Sequence, residues 1–354
     1  MSKISVAVLG ATGMIGQRFV QMLEDHPWFE IEGLYASERS QGKRLGDVLK
    51  VRDHVYLDEI MDRRIETMDI KKISENCRIA FSGIPSDLAG PTETELAKAG
   101  VAVFTNAGSH RMDPHVPIII PEVNPGQFDA VKDQPTYGES GGYIVTNANC
   151  SSTGIAAPLH AINQAFGLKQ VFVSTYQALS GAGYPGVPSL DAVGNVVPFI
   201  SHEEEKMETE LAKMLGTYSE GEFRYAPFKV MANCARVPVI DGHLESLVLD
   251  TDAQPSLDEL EACLAGFRGE PQTLGLPSAP DQPIIVRHEE NRPQPVFDAM
   301  AGKPERARGM AVTIGRLRQS NGYYKAFAMS HNTLRGGAGG SVLNAELAKA
   351  KGIL

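Results

Sequence analysis

The chain has 354 residues, with 33 Lys and Arg against 43 Asp and Glu, a formal net charge of −10. It lacks the cationic surplus by which nucleic-acid binders neutralise phosphates. With 42% hydrophobic and 21% charged residues, it has a globular composition and a length suited to about two domains.

Ile4–Leu9 predicts a strand, GATGMIG (residues 10–16) a loop, and the apolar periodicity through Met22 and Leu23 a helix. A strand at Ile31–Ala36 completes a βαβ unit. Apolar runs at Ile79–Phe81, Val101–Thr105, Ile118–Ile120 and Ile144–Thr146 alternate with helical stretches. That pattern predicts an α/β fold with a Rossmann-type, doubly wound parallel sheet. After Cys150 a helix over Ile155–Phe166 leads to a strand at Val171–Ala178 and the flexible segment SGAGYPGVPS. Ser201 and Glu204 fit a capping box before an amphipathic helix. The runs Val230–Ile240 and Leu244–Leu249 meet at Asp241–Gly242 and read as a hairpin. Ser256 and Glu259 mark another capped helix, and strands follow at Ile284–Arg287, Met310–Leu317 and Tyr323–Met329. A mixed, largely antiparallel α+β domain over residues 150–330 is expected, behind a dinucleotide-binding domain over 1–149. A last helix after Gly340 should pack back on the first domain, so that 331–354 completes it.

No apolar run approaches the ~20 residues of a membrane span, and the opening residues show no secretory pattern. Cys77, Cys150, Cys234 and Cys263 are scattered without a CxxC pair. Reduced thiols in a cytoplasmic protein are expected, with no disulfide frame and no metal.

The glycines of GATGMIG, Gly10, Gly13 and Gly16, lie between first strand and first helix, where a tight turn brings backbone N–H groups to a pyrophosphate. At the end of the second strand stand Ser37, Arg39, Ser40, Lys43 and Arg44 around a single Glu38. Three cations and two hydroxyls suit a 2′-phosphate and favour NADP, whereas Glu38 alone would suit NAD.

Cys150, within TNANCSSTG, follows an apolar strand at the start of a helix. The helix dipole is worth about 0.3–1 kcal/mol, less than one pKa unit at ~1.4 kcal/mol per unit. A nucleophile would need a further base or cation, while the same helix start offers N–H groups to an oxyanion. The residues alone fit equally a small-residue turn from strand to helix. His243, heading a strand, and Arg236, seven residues earlier, are the most suggestive partners, though spacing does not bring them to Cys150. Glu203 and Lys206, i,i+3 on one helix, read alone as a solvated ion pair.

The segments GATGMIG, ASERSQGK, NAGSHRMDPHVPIIIPEVN, NANCSSTG, STYQALSGAG, HEEEK and ARVPVIDGH, in this order and nearly end to end, resemble the aspartate-β-semialdehyde dehydrogenases, closest to their archaeal and fungal branch. The resemblance implies NADP-dependent reduction of β-aspartyl phosphate through a Cys150 thioester, with release of inorganic phosphate, in lysine, threonine and methionine biosynthesis. It implies that His243 is the general acid/base and Gln177 orients the acyl group. Arg236 would hold the α-carboxylate, Arg111, Lys206 and Asn149 the phosphate, and Glu203 the amino group. Thr12, Met14, Ile15, Ser82, Gly83, Ser180, Gly181, Asn332, Gly336 and Gly337 would join the glycine loop around the cofactor. The second domain would be catalytic and would form a homodimer or homotetramer. Malonyl-CoA reductases, which resemble this branch, and a non-catalytic dinucleotide-sensing regulator are the competing readings.

Overall fold

The computed structural model describes residues 2–51 and 53–354. Its first sheet contains β1 (Ile4–Leu9), β2 (Phe29–Ala36), β3 (Ile65–Thr67), β4 (Ile79–Ser82), β5 (Ala102–Thr105) and β6 (Tyr143–Thr146). The spatial order is β3-β2-β1-β4-β5-β6, every pairing parallel. Helices α1 (Met14–Leu23) and α2 (Ser86–Lys98) belong to this half. The strands are near-continuous apolar runs because both faces are covered, as a parallel sheet requires. The chain order reverses between β1 and β4, so their C-terminal ends form the crevice where such sheets receive ligands. Ile118–Ile120 is buried but forms no named strand; Ile118 makes only a bridge to Thr146. The short β3 lacks the apolar length that would announce it.

The second sheet holds β7 (Leu168–Gln177), β10 (Lys229–Arg236), β11 (His243–Thr251), β12 (Ile284–Arg287), β13 (Val312–Ser320) and β14 (Tyr323–Ser330). A small separate hairpin pairs β8 (Thr217–Ser219) with β9 (Glu222–Arg224). The large sheet is mixed, in the order β10-β7-β11-β14-β13-β12. Helices α3 (Cys150–Phe166) and α4 (Glu203–Met214) pack on one face, where Ile155, Leu159, Met207 and Leu211 meet Val173, Leu247 and Ala328.

The expected hairpin does not form. Strand β10 pairs parallel with β7, and β11 pairs antiparallel with the other side of β7. The linker between them carries Pro238 and crosses the end of β7: Val237 donates to the Gln177 carbonyl, and Leu179 and Ser180 donate to Val239 and Ile240. Those bonds satisfy the crossing backbone and rule out a two-residue turn. The box at Ser201 and Glu204 is also absent. The N-cap of α4 is His202 in the left-handed conformation, φ 57°, without a side-chain cap, while Glu204 instead accepts from the Cys234 amide. The Ser256–Glu259 box does form, at the start of α5 (Leu257–Gly266).

The last helix, α6 (Gly339–Ala350), inserts Val342, Leu343 and Leu347 into the core of the first sheet beside Val8, Phe81 and Phe104. Its Glu346, fully buried, accepts from Nε2 of equally buried His26 at 2.8 Å. No helix among the described residues is long and apolar enough to cross a membrane.

Candidate active site

The crossing linker determines what the second sheet presents at one edge. In the register Arg236 lies beside Gln177, and Leu244 beside Tyr176. The last residues of β7 and β10 and the first residue of β11 therefore share one end of the sheet, and Gln177, Arg236 and His243 are all buried there. Helix α3 brings Cys150 to the same end from the first sheet, directly after β6. The Cys150 Sγ lies 3.2 Å from His243 Nε2. On the other side Gly336 packs so closely that a Cβ there would sit 2.9 Å from the Cys150 Cβ. Gly181 is equally confined, since its Cβ would come within 2.9 Å of the Arg236 guanidinium and 3.1 Å of the His243 ring.

Asn149 is the N-cap of α3. Its Oδ1 accepts from the N–H groups of Ser151 and Ser152 at 2.9 and 3.1 Å, and its Nδ2 donates to Glu203 Oε1 at 2.9 Å. Those two backbone donors are thus spent on the cap, and the N–H of Cys150 is the first-turn donor left open. The Gln177 amide donates to Glu203 Oε1 at 2.9 Å and to Thr175 Oγ1 at 3.2 Å, so both its hydrogens are engaged. Arg236 donates once, from Nη1 to the Ala178 carbonyl at 2.8 Å, and its remaining donors have no protein acceptor among the described residues. Arg111 is anchored at all three nitrogens: Nε reaches the Asn147 carbonyl, Nη2 the Asn106 carbonyl and Nη1 Glu210 Oε1. Lys206 is part-exposed, one turn along α4 from Glu203, with no side-chain partner among the described residues.

Burial dominates the electrostatics. Cys150 keeps some solvent exposure, yet desolvation first and then Glu203 push its thiol up to about 12, against the opposing pull of Arg236 and Arg111. The dipole contribution expected at the helix start is too small to offset this. Burial drives the His243 imidazole well below its ordinary value, with Arg236 adding to the effect. At neutral pH the resting pair is a thiol beside a neutral ring.

At the crevice of the first sheet, Gly10 adopts φ +77°, and a Cβ there would lie 2.7 Å from the Gly83 carbonyl. A Cβ on Gly16 would fall 2.0 Å from the Gly10 carbonyl, so α1 can start this close to the strand only with glycine. Thr12, Gly13, Met14 and Ile15 remain partly exposed along the loop, with Ile15 touching Gly83 and Gly337. Ser37, Arg39 and Lys43 are exposed after β2, with Ser40 part-buried. Arg39 and Lys43 have no side-chain partner among the described residues, whereas Arg44 is paired with Asp62 at 2.5 Å. Ser82 departs from the expectation: its hydroxyl is fully buried and donates to Glu93, leaving only its backbone near the crevice. Asn332 is buried too, accepting from Gly242 N–H and donating to Ser180 Oγ. These two tie the linker, the 180–183 turn and the end of β14 together. The glycine cradle and the two open cations fit a phosphorylated dinucleotide.

Several contributors were not apparent in the sequence. Glu210 binds both Arg111 and the Asn149 N–H. Buried Lys213 donates to the carbonyls of Arg111 and Val116 at 2.6 and 2.9 Å. Glu203, Glu210 and Lys213 all lie on the buried side of α4, and charges repeated at i, i+7 and i+10 were the available signal. Arg335 and Glu122 form a bidentate, almost fully buried pair at 2.8 and 2.9 Å beside Gly336. Asp53, Asp241 and His331 converge within 4.8 Å. Arg18 lies among them, 2.8 Å from Asp53, and supplies the positive charge that cluster needs.

Residues 5–131 match the semialdehyde dehydrogenase NAD-binding domain family, and residues 159–335 the semialdehyde dehydrogenase dimerisation domain family. An aspartate-semialdehyde dehydrogenase of Methanothermobacter thermautotrophicus is 46% identical, covering 97% of this chain and 98% of its own. A malonyl CoA reductase (NADP) of Metallosphaera sedula is 38% identical over 99% of this chain and 98% of its own. The crystal structure of aspartate semialdehyde dehydrogenase with NADP from Candida albicans superimposes with TM-score 0.88 at 37% identity, covering 100% of both chains. The chain belongs to the semialdehyde dehydrogenase family.

Proposed function

We propose that the chain is an NADP-dependent, phosphorylating aspartate-semialdehyde dehydrogenase, a cytoplasmic homodimer or homotetramer that converts β-aspartyl phosphate to aspartate semialdehyde and inorganic phosphate. The observation that carries this reading is the Cys150–His243 contact of 3.2 Å beside the guanidinium of Arg236, which makes a single protein hydrogen bond among the described residues. Cys150 attacks the acyl carbon, and the C–O bond to phosphate breaks as the thioester forms. Arg236 fits the α-carboxylate by a bidentate, charge-assisted contact. One oxygen of Glu203 already accepts from two amides, and the other is available to the substrate ammonium group. Lys206 serves the phosphate directly. Arg111, anchored at all three nitrogens, brings a fixed positive charge to the phosphate and keeps two of its five N–H groups for it. Asn149 holds the helix start and Glu203 in register, and Gln177 orients the acyl intermediate through its carbonyl oxygen, which accepts from the substrate ammonium group.

The loop of Gly10, Gly13 and Gly16 receives the pyrophosphate, and Arg39 and Lys43 with Ser37 and Ser40 receive the 2′-phosphate. Gly336 and Gly337 pack against Cys150 and Ile15 with no space for a side chain, and this backbone runs alongside the cofactor's reactive end. When bound, the reduced nicotinamide supplies hydride to the acyl carbon.

The decisive assay compares phosphate- and NADP-dependent oxidation of aspartate semialdehyde with NADPH-dependent reduction of malonyl-CoA. Turnover of the semialdehyde supports the proposal. Turnover of the CoA ester alone replaces it with the reductase reading, and cofactor binding without turnover of either replaces it with a sensor. Turnover retained in Cys150→Ala removes the thioester.

A further inference from the structure

Glu203, Lys206, Glu210 and Lys213 stand at i, i+3, i+7 and i+10 of α4, so their side chains leave the helix along one stripe. Glu203 and Glu210, two turns apart, both bind Asn149, the residue before Cys150. Glu203 Oε1 accepts from the Asn149 side-chain Nδ2 at 2.9 Å, and Glu210 Oε2 accepts from its backbone N–H at 2.7 Å. The other oxygen of Glu210 accepts from Arg111 Nη1 at 2.9 Å. One carboxylate, 2% exposed, therefore spans the helix start that carries the nucleophile and the guanidinium assigned to the phosphate. We infer that Glu210 is a positioning residue for acyl transfer to and from phosphate: its two oxygens hold Arg111 and the start of α3 at one fixed separation.

The rest of the Arg111 side chain is anchored in the first half of the chain. Its Nε and Nη2 donate to the carbonyls of Asn147 and Asn106, which directly follow β6 and β5. Among the described residues Glu210 is its charged partner, and that partner comes from α4. The same helix holds the arginine's backbone, since Lys213 Nζ donates to the Arg111 carbonyl at 2.6 Å. Asn149 N–H is buried and has no other acceptor among the described residues. When phosphate attacks the thioester, a phosphate oxygen bonds to the acyl carbon as the C–S bond breaks and the electron pair goes to sulfur. Arg111 and Cys150 must both be in place for that step, and Glu210 touches the anchor of each.

Two physical effects predict opposite outcomes when Glu210 loses its charge. A buried carboxylate 2.9 Å from Arg111 offsets part of that arginine's attraction for phosphate, so by Coulomb's law alone its removal would tighten phosphate binding. As a positioning group it acts the other way, because removing it releases a buried donor on each side. A glutamine in its place offers one carbonyl oxygen and one NH2 group, so one of the two donors would meet another donor. The site then has to shift at Arg111 or at the helix start. A displacement near 1 Å between reacting groups costs on the order of 10²-fold in rate.

In the full-length enzyme oxidising aspartate semialdehyde, Glu210→Gln should lower kcat/KM for phosphate about 10–100-fold, chiefly through KM, with the KM for NADP unchanged. A lower melting temperature with an unchanged KM for phosphate would reveal a merely structural carboxylate. A lowered KM for phosphate would reveal one that only screens Arg111. Either result overturns the inference. The double variant checks the route: once Arg111→Ala has removed one donor, the glutamine oxygen can serve Asn149 alone. Glu210→Gln added to Arg111→Ala should then cost nothing further in kcat/KM for phosphate, and additive losses would overturn the inference. If Glu210→Gln does not fold, Glu210→Asp keeps the charge, is one carbon too short for both donors, and should show the same rise in KM for phosphate. The inference rests on the phosphorylating reading, and the assay separates the two. A wild-type enzyme that turns over without phosphate removes that reading, whereas a phosphate-dependent wild type whose KM for phosphate survives Glu210→Gln removes the inference alone.

Discussion

Gly154, in the second turn of α3, sets two physical effects against each other. Replacing it with alanine removes a flexible residue from a helix interior, a gain of about 1 kcal/mol by helix propensity alone. The new methyl, however, would lie 2.6 Å from Glu245 Oε2 and 2.7 Å from Ser330 Oγ, on two neighbouring strands and both fully buried. Reaching an ordinary contact of 3.4 Å requires a displacement of 3.4 − 2.6 = 0.8 Å. Overpacking of that kind costs about 1–3 kcal/mol, so the net effect is a loss of up to about 2 kcal/mol after subtracting the propensity gain. The geometry matters more than the stability. Residue 154 is one turn after Cys150, and widening the α3–β11 spacing pulls Sγ away from His243, now at 3.2 Å. A misplacement near 1 Å costs on the order of 10²-fold in rate. Gly154→Ala should therefore fold, melt at or slightly below the wild-type temperature, and lose about 10–100-fold in kcat/KM. Circular-dichroism melting and steady-state kinetics on the same preparation measure both. A raised melting temperature with unchanged kcat/KM would refute the steric argument and leave propensity in command.

Arg39→Ala and Lys43→Ala should each raise the KM for NADPH about 10–100-fold, the equivalent of losing one charged hydrogen bond of ~1.5–3 kcal/mol, with little change for NADH; equal losses for both cofactors would displace the 2′-phosphate from this loop. Glu122→Gln strips the buried Arg335 of its counter-charge and should cost about 3–5 kcal/mol in urea unfolding, and a loss under about 1 kcal/mol would mean that water reaches the pair. Lys213 is lowered by burial to about 8, against the opposing influence of Asp113 and Glu210. Its folded value lies below the ~10.4 of an unfolded chain, so between those values the unfolded state holds the extra proton and stability rises with pH. The wild-type stability minus that of Lys213→Met should climb from about pH 8 to about pH 10, and a flat or falling difference would show that the carbonyl cage keeps the ammonium charged.

Features set by local pattern were legible. The glycine loop, β1, the Ser256–Glu259 cap and the parallel first sheet follow from periodicity and turn chemistry. Legibility stopped where the determinant is non-local. Arg236 and His243 looked like opposite arms of one hairpin because nothing in VPVIDG indicates that β7 will lie between them. The Ser201 cap failed because Glu204 found a better acceptor role at the Cys234 amide, a tertiary contact overriding a four-residue motif. Lys206 read as half of a solvated pair, yet Glu203 turns away to Asn149 and Gln177. The partner of His243 Nδ1 is the Ala178 backbone N–H, at 3.0 Å, which no side-chain inventory can reveal.

The placement of α6 bears on how the chain is made. The core of the first sheet is closed by Val342, Leu343 and Leu347, and His26 finds its partner at Glu346, 320 residues later. From Thr146, the end of the last strand of that sheet, to Val342 is 196 residues, which at ~5–20 residues per second lasts about 10–39 s. During that time the nascent first half has its strands and α1 but not α6, and the part of the apolar face awaiting α6 is open to chaperones or to neighbouring nascent chains on the same messenger. The second half, whose core is built mainly from residues within 118–328, is free to fold first. The order of synthesis and the order of completion are thus reversed, and the nucleotide crevice at the N-terminus is among the last parts of the molecule to become rigid.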